Sequence, residues 1–355
     1  MQKFSEVDHL EQVISSKVIV ISHGCQATVD RYFTSRIATE NLLWIDTSTV
    51  NWQSSLNRLK EFQLQGACCL FVRKLPRAVL QYFLKLGIRK AIWFLDDDIP
   101  TMMQDISLPL PYRLKHTIWL YSNQRLLEKI CNRLLVSTSH LANKYLTGNI
   151  FLPPALAEKN ELALVRSVPD SVAGYDISGT SALQHSQEAC IFYHGSASHK
   201  IDHQFMAKVF PILLDKQPTV KIQVIADKRI RKLYPLLPQI DFVQPMVWHA
   251  YLDFIKSESL DIGLAPQMDS LFNRSRSHNK LIDFCLSQAI GVFSPGFSFA
   301  DDIKRAEAGV VCENQPLLWA KAIEEILQSE DFENRKQQTV FNAIHLCKEL
   351  QQCPK

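Results

Sequence analysis

The stretch Ala189-Cys-Ile-Phe-Tyr-His-Gly-Ser-Ala-Ser-His-Lys-Ile-Asp202 lies just past the middle of a 355-residue chain. Its first five residues form a short hydrophobic run that stops at a small-residue turn, as expected of a strand buried on both faces. The turn His194-Gly195-Ser196-Ala197-Ser198-His199-Lys200 then runs into a helical pattern near Asp202. The preceding residues, 156–188, hold Ser, Asp, Gly and Pro with no long periodic face, and read as an interdomain connection. After the stretch, strand-like runs at Lys221–Ile225, Asp241–Val243, Asp261–Ala265, Ile290–Ser294 and Val310–Cys312 alternate with helical patterns. These patterns cover Asp202–Leu214, His249–Ser257, Asn279–Ser287, Leu317–Leu327 and Glu333–Glu349. Such alternation predicts a parallel sheet covered by helices.

The same alternation fills the first half. Apolar runs occur at Val18–Ser22, Leu42–Asp46, Ala67–Val72, Ala91–Leu95 and Leu134–Ser137, with a short one at Ile150–Leu152. Helical patterns such as Arg77–Leu86 and Asn123–Ile130 separate them. The prediction is an α/β chain with two Rossmann-like doubly wound domains facing across a cleft. The domains span 1–155 and 189–335, joined by the linker 156–188 and followed by a C-terminal helix over 336–355. Ligands of such sheets bind beyond the carboxyl ends of the strands, so the residues just after each strand matter most.

Composition excludes several classes. The chain is 46% hydrophobic and 21% charged, ordinary for a globular protein and unlike a disordered or fibrous one. No apolar run approaches the roughly 18 residues of a membrane span. The N-terminus, Met-Gln-Lys-Phe-Ser-Glu-Val-Asp, lacks the apolar core of a secretory signal. The net charge is +3, but it is unevenly placed: residues 1–155 carry 18 Lys/Arg against 12 Asp/Glu, the remainder 21 against 24. That imbalance suits an anionic partner or membrane surface and is too small to indicate nucleic acid. Nine scattered cysteines with no C-x-x-C spacing and no His-rich cluster argue against structural zinc and suit a reducing cytoplasm.

Four loops could carry chemistry. Gly195 and Ser196 begin a turn at which a phosphate could meet backbone N–H groups and a helix N-terminus, with Lys200 adding a point charge. The same turn also reads as an ordinary strand-to-helix connection capped by Asp202. No G-x-G-x-x-G or G-x-x-x-x-G-K-[ST] motif is present. After Pro266, Arg274, Arg276 and Lys280 place three cations at a loop-to-helix junction, with Asp283 one turn further on. This group fits a diphosphate and a ribose, or a solvated basic loop with a Lys280–Asp283 helix pair. The run Asp96-Asp97-Asp98 follows a central strand. Mutual repulsion should keep its carboxylates at the cleft, where they could bind a divalent cation, contact sugar hydroxyls, act as a base or cap a loop. Ser22-His23-Gly24 ends the first strand and offers His23 as an acceptor contact or base, or as a structural histidine. The segment 73–90 has six cations and no acids. It reads as a sheet-covering helix with a basic rim, or as a helix lying on an anionic bilayer.

Taken in order, these loops resemble the bacterial glycosyltransferases of the GT-B fold, nearest the retaining, nucleotide-sugar-dependent group that includes family 4 and family 1-like enzymes. The resemblance rests on Ile191-Phe-Tyr-His-Gly-Ser196, Asp261-Ile-Gly-Leu-Ala-Pro266, Phe272-Asn-Arg-Ser-Arg-Ser-His-Asn-Lys-Leu-Ile-Asp-Phe284, Gly291-Val-Phe-Ser294 and Ala308-Gly-Val-Val311. Trp93-Phe-Leu-Asp-Asp-Asp98 and Val136-Ser-Thr-Ser-His-Leu-Ala142 extend it into the first half. It covers about 190–330 well, 91–155 loosely and 1–90 only in outline. Two positions depart from the family pattern. The usual Glu-x7-Glu pair falls on Ser275 and Asp283, and Ser196 stands where an Arg is common.

The resemblance implies that Gly195, Ser196 and Lys200 face phosphate, that Arg274, Arg276 and Lys280 neutralise the leaving diphosphate, and that Asp283 holds the ribose. Asp97 or Asp98 and His23 would lie near the reacting sugar. The expected function is transfer of a sugar from a nucleotide-sugar donor to a glycan, lipid-linked or surface-polysaccharide precursor, with no cofactor or metal. It would take place in the cytoplasm or at the inner face of the membrane. A metal-dependent Asp-x-Asp transferase using Asp96 and Asp98, a nucleotide-sugar epimerase, and a non-catalytic relative that binds glycan or a partner enzyme stay open.

Overall fold

The computed structural model describes residues 17–50, 52–57, 59, 67–88, 91–106, 108–146, 151–157, 189–196 and 199–352. Contacts divide the chain into two compact units. The first comprises Met1–Ala157, Asp269–Asn279 and Lys348–Lys355, and the second Glu158–Met268 and Lys280–Cys347. The segment 269–279, expected in the second domain, therefore groups with the first unit. Residues 158–188 of the expected linker lie outside the described residues.

The first unit is built on five parallel strands, β1 (Val18–Ser22), β2 (Leu42–Asp46), β3 (Cys68–Val72), β4 (Ala91–Leu95) and β5 (Cys131–Val136). They lie in the order β2-β1-β3-β4-β5. Every residue of β1 and β4 is buried. Alternation divides those residues between two cores: Ile19, Ile21, Trp93 and Leu95 enter one, and Val18, Val20, Ile92 and Phe94 the other. Helices cover both faces. Val29, Tyr32 and Phe33, on and just after α1 (Gln26–Val29), pack on one side. Val79, Leu80 and Phe83 of α2 (Arg77–Lys85) pack on the other. The short α3 (Ile99–Met102) follows β4, then the long α4 (Leu110–Ile130), and α5 (Ser139–Tyr145) follows β5. In this strand order the chain reverses direction between β1 and β3, so the carboxyl ends of those two strands flank the natural ligand position.

Two expectations change here. The helix expected over Asn123–Ile130 is 21 residues long and starts behind Pro109. Its first half escapes a periodicity search because Leu114, Ile118 and Tyr121 point outward. The run Ile150–Leu152 makes no strand over its described residues. Leu152 N–H donates to Val136 O (2.8 Å), but Pro153 and Pro154 follow and have no donors to extend the ladder.

The second unit holds β6 (Cys190–Tyr193), β7 (Lys221–Ile225), β8 (Ile240–Val243), β9 (Ile262–Ala265), β10 (Ile290–Phe293) and β11 (Val310–Val311). All are parallel, in the order β11-β10-β9-β6-β7-β8. Counted from β6 this is the 3-2-1-4-5-6 order of a dinucleotide-type sheet, with its switch between β6 and β9. The helices are α6 (Lys200–Lys216), α7 (Lys228–Arg231), α8 (Trp248–Ser257), α9 (Asn279–Leu286), α10 (Ala300–Ala306), α11 (Pro316–Leu327) and α12 (Phe332–Leu350). α9 sits close on the sheet because Gly263 has no side chain: a Cβ there would come within 2.4 Å of the Phe284 ring. Among the described residues no helix is long and apolar enough to cross a membrane.

Candidate functional site

Each unit carries a pocket at the carboxyl ends of its strands, and that of the first unit lies at its switch point. In the first unit, β1 ends at Ser22 and the backbone turns through Gly24, whose φ of +66° belongs to the left-handed region. The Gly24 N–H donates to Asp46 Oδ1 (2.9 Å), and His23 Nδ1 lies 3.2 Å from Thr47 Oγ1. β3 ends in Arg73, a non-glycine residue held at φ 52°. Its N–H donates to Phe94 O (2.9 Å), while Trp93 Nε1–H donates to its carbonyl (2.8 Å). Those two bonds hold a conformation that costs on the order of 1–3 kcal/mol for a side-chain-bearing residue. The result aims the guanidinium at the end of β4.

The three carboxylates there diverge. Asp96 is buried, pairs with Arg73 and accepts from Thr28 Oγ1 (2.8 Å). Asp98 is fully buried and caps α3 by accepting from Thr101 N–H (3.2 Å), and it is also bound by Lys144 and by the Tyr145 hydroxyl. Asp97 pairs with Arg73 (2.9 Å) and keeps 27% of its side chain exposed. The expectation that all three face solvent is therefore corrected. Asp96 and Asp98 are buried because Arg73 and Lys144, distant in sequence, supply counter-charges. That pairing also leaves Asp96 and Asp98 ill-suited to hold a metal, since each carboxylate already serves a cation. Burial pushes the Asp97 carboxyl pKa up and Asp96 adds to the rise, against the pull of Arg73 and Arg276.

Asp97 and His23 line one pocket of about 420 Å³, together with Arg73, Lys74 and residues of α4. Of the three residues expected near the reacting sugar, the structure thus brings two together. Asp98 is instead an interior cap.

The second-unit pocket, about 380 Å³, is formed by His194, Gly195 and Ser196 after β6, by Asp227 after β7, by Met246 after β8 and by Tyr251 of α8. Asp227 caps α7 by accepting from the Arg229 and Ile230 N–H groups. Lys280, near the start of α9, donates to His194 O (2.7 Å) and pairs with Asp283 (3.2 Å). Tyr251 donates from its hydroxyl to the same Asp283 oxygen (3.1 Å). Lys280 and Asp283 are thereby tied to residues that line the pocket. His194 is buried, which lowers its pKa to about 3 with help from Lys280, so the ring is neutral. Its Nε2 faces Gln223 Oε1 (3.2 Å) and therefore donates, while its buried Nδ1 lacks a hydrogen-bond partner.

Other expected residues lie elsewhere. Lys200 opens α6, exposed and outside the lining of this pocket. In the first turn of that helix Asp202 accepts from Met268 N–H (3.0 Å) and sits 3.1 Å from His199 Nδ1. Arg274 and Arg276 fall in the segment that groups with the first unit. Arg274 is exposed and paired with Asp269 (3.0 Å), and the Arg276 guanidinium lies 5.3 Å from the Phe272 ring centre. The basic segment 73–90 divides in two. The apolar side of α2 is spent on the core, whereas Arg73 and Lys74 enter the pocket. Those two residues, with Tyr251 and Asp227, were missed as site residues. Their one sequence signal was position: Arg73, Lys74 and Asp227 each follow a strand closely.

No family model and no curated protein matches the sequence. Solved structures do resemble the fold. A trehalose-6-phosphate synthase, OtsA, aligns with 95% of this chain and 97% of its own at 12% identity and a TM-score of 0.50. A trehalose-6-phosphate synthase studied with bisubstrate glycomimetics, in work on glycosyl transfer with retention, aligns with 95% of this chain and 97% of its own at 12% identity and a TM-score of 0.51. A UDP-forming α,α-trehalose-phosphate synthase from Burkholderia xenovorans aligns over 94% and 95% at 12% identity and 0.50. At such identity the likeness is one of fold, and the fold is GT-B: two Rossmann-like domains carried in one chain.

Proposed function

We propose that this protein is a glycosyltransferase that takes a sugar from a nucleotide-sugar donor, with the second unit holding the nucleotide. The observation that carries the reading is the pocket beyond the carboxyl ends of β6, β7 and β8, beside which Lys280 bridges the carbonyl that precedes Gly195 and the Asp283 carboxylate. A flat base suits walls formed by Ile230, Met246 and Tyr251. Asp283 can accept from ribose hydroxyls. The N–H groups of Gly195 and Ser196, with Lys280, can meet the diphosphate as its charge develops, and pre-oriented donors of this kind lower the barrier to its departure. In the first unit Asp97 and His23 serve the acceptor hydroxyl. The Asp97 carboxyl, raised by burial, is suited to exchange a proton with it. The transfer retains anomeric configuration and needs no divalent metal, and the acceptor is a glycan, a lipid-linked sugar or a surface-polysaccharide precursor.

UDP heads the ligand panel for a test by calorimetry, because one similar structure is of a UDP-forming enzyme. GDP and CMP complete it. Lys280→Ala should weaken the preferred nucleotide by about 1.5–3 kcal/mol, the range for a charge-assisted hydrogen bond. Unaltered affinity in a folded variant rejects the assignment. Activity that EDTA abolishes and manganese restores would favour the metal-dependent alternative. The absence of an acid at Ser275, whose hydroxyl instead donates to Phe272 O (2.7 Å), favours a second reading as a non-catalytic binder. Mass spectrometry of products formed from the bound donor separates the two.

A further inference from the structure

We infer that the first-unit pocket contains a built anion subsite, formed by Lys74, Lys115 and His116, that takes a phosphomonoester. Given the glycosyltransferase reading, on which this clause rests, the phosphate belongs to the acceptor. All three residues line the same pocket as Asp97 and His23. Lys74 comes directly after Arg73 at the end of β3, and Lys115 and His116 are consecutive on α4.

The argument is one of missing charge. Among the described residues of this unit, Arg73 is matched by Asp96 and Asp97, and Lys144 by Asp98. Among the described residues neither Lys74 nor Lys115 has a carboxylate partner. The Lys74 ammonium, half-buried, instead faces His116 Nε2 at 3.3 Å. An ammonium can only donate, so Nε2 accepts and the ring proton sits on Nδ1. That Nδ1 is buried and has no hydrogen-bond partner, in a residue only 3% exposed. Burial, then Lys74 and Lys115, lower the His116 pKa to about 4. Burial also lowers that of Lys74, with Lys115 and Arg73 adding to it. Gathering cations in a half-closed pocket is unfavourable unless something else supplies negative charge. Two ammonium groups, one of them held by His116 Nε2, match the charge of a phosphomonoester, which carries about −1.5 to −2 at neutral pH. The pocket also presents Tyr112 and Trp119, flat apolar surfaces against which a sugar ring can lie.

The test uses the full chain and calorimetry with inorganic phosphate, then with a hexose phosphomonoester beside the matching free hexose. The phosphate-bearing sugar should bind at least tenfold tighter than the free one. Lys74→Ala with Lys115→Ala should erase that difference. Lys115→Glu, at an exposed position and so harmless to folding, should erase it too by giving Lys74 a fixed partner. Nucleotide affinity in the second unit should be unchanged in all these variants, so failure of phosphate binding alone overturns this inference and leaves the nucleotide reading standing. Phosphate binding without nucleotide binding does the reverse. Sedimentation with phosphatidylcholine vesicles with and without phosphatidic acid tells a lipid phosphate from a soluble one. Capture by the acidic vesicles that is lost in Lys115→Glu supports the subsite. Equal affinity for sugar and phosphosugar together with no capture, or phosphate binding that survives the double substitution, overturns it.

Discussion

Both pockets lie beyond the carboxyl ends of parallel strands, one at β1, β3 and β4 and the other at β6, β7 and β8, yet their charge is handled in opposite ways. In the second unit the cation bound to the pocket wall, Lys280, is already matched by Asp283, and the walls are mostly apolar. In the first unit Arg73 is matched but, among the described residues, Lys74 and Lys115 have no carboxylate partner. Topology therefore explains where the pockets are, and long-range pairing explains what each can hold. An apolar-walled site without surplus positive charge suits a base and ribose. A site with surplus positive charge suits an anion.

The contrast between matched and unmatched charge can be broken most forcefully at Asp97 and Asp98, neighbours in sequence with different duties. Asp98→Ala removes the acceptor of the Lys144 ammonium and the Tyr145 hydroxyl and uncaps α3. It should cost about 1–3 kcal/mol, the usual penalty for leaving buried hydrogen-bonding groups unpaired, read from the denaturant midpoint. Asp97→Asn should barely move that midpoint but should lower transfer by about 10²–10⁴, the usual share of a proton-transferring group. Equal effects of the two substitutions on stability would refute the division of roles.

A second test uses acid. His194 and His278 have pKa values near 3 and His116 near 4, each lowered first by burial and then by a nearby cation: Lys280 for His194, Arg36 for His278 and Lys74 for His116. Unfolded histidines titrate near 6.5. Between about pH 6.5 and these lower values the unfolded chain binds more protons than the folded one. Stability is thus complete above pH 6.5 and falls as the pH drops, by up to about 1.4 kcal/mol per pH unit for each histidine. Denaturation midpoints at pH 7, 6 and 5 should show this slope. Inorganic phosphate should flatten the His116 share, because an anion beside that ring favours its protonated form. It should leave the His194 share in place, so His116→Gln should remove the phosphate effect and His194→Gln should not.

Much of this molecule was legible before any coordinates. β1, β2, β4 and β7 occupy the very residues expected from their short apolar runs, since a strand covered on both faces must be apolar throughout. The start of α4 was not legible, because Leu114, Ile118 and Tyr121 are apolar yet exposed and blur the helical period. The fate of Asp96-Asp97-Asp98 was not legible either. It depends on Arg73, 23 residues upstream, and on Lys144, 46 residues downstream of Asp98, and no local pattern announces either partner. The basic segment 73–90 misled for a related reason. Its cations are spread along it, but Arg73 and Lys74 follow β3 directly into the pocket, whereas Arg77–Lys85 form α2 on the sheet.

The smallest expected effect sharpens the comparison at the loop after β9. Arg274 and Lys280 are six residues apart, were expected to act together on a diphosphate, and lie in different units. Arg274 is exposed, and its partner Asp269 more so, a setting in which solvent screens an ion pair almost completely. Arg274→Ala should therefore leave the melting temperature unchanged. Its effect on nucleotide affinity is the informative part. If the diphosphate is held by the second unit through Lys280 and the Gly195–Ser196 turn, Arg274→Ala should cost clearly less affinity than Lys280→Ala, and the double variant should lose little more than Lys280→Ala alone. A loss from Arg274→Ala as large as that from Lys280→Ala, in calorimetry at equal salt, would instead mean that a side chain grouped with the first unit contacts the nucleotide. The assignment of nucleotide binding to the second unit alone would then fail.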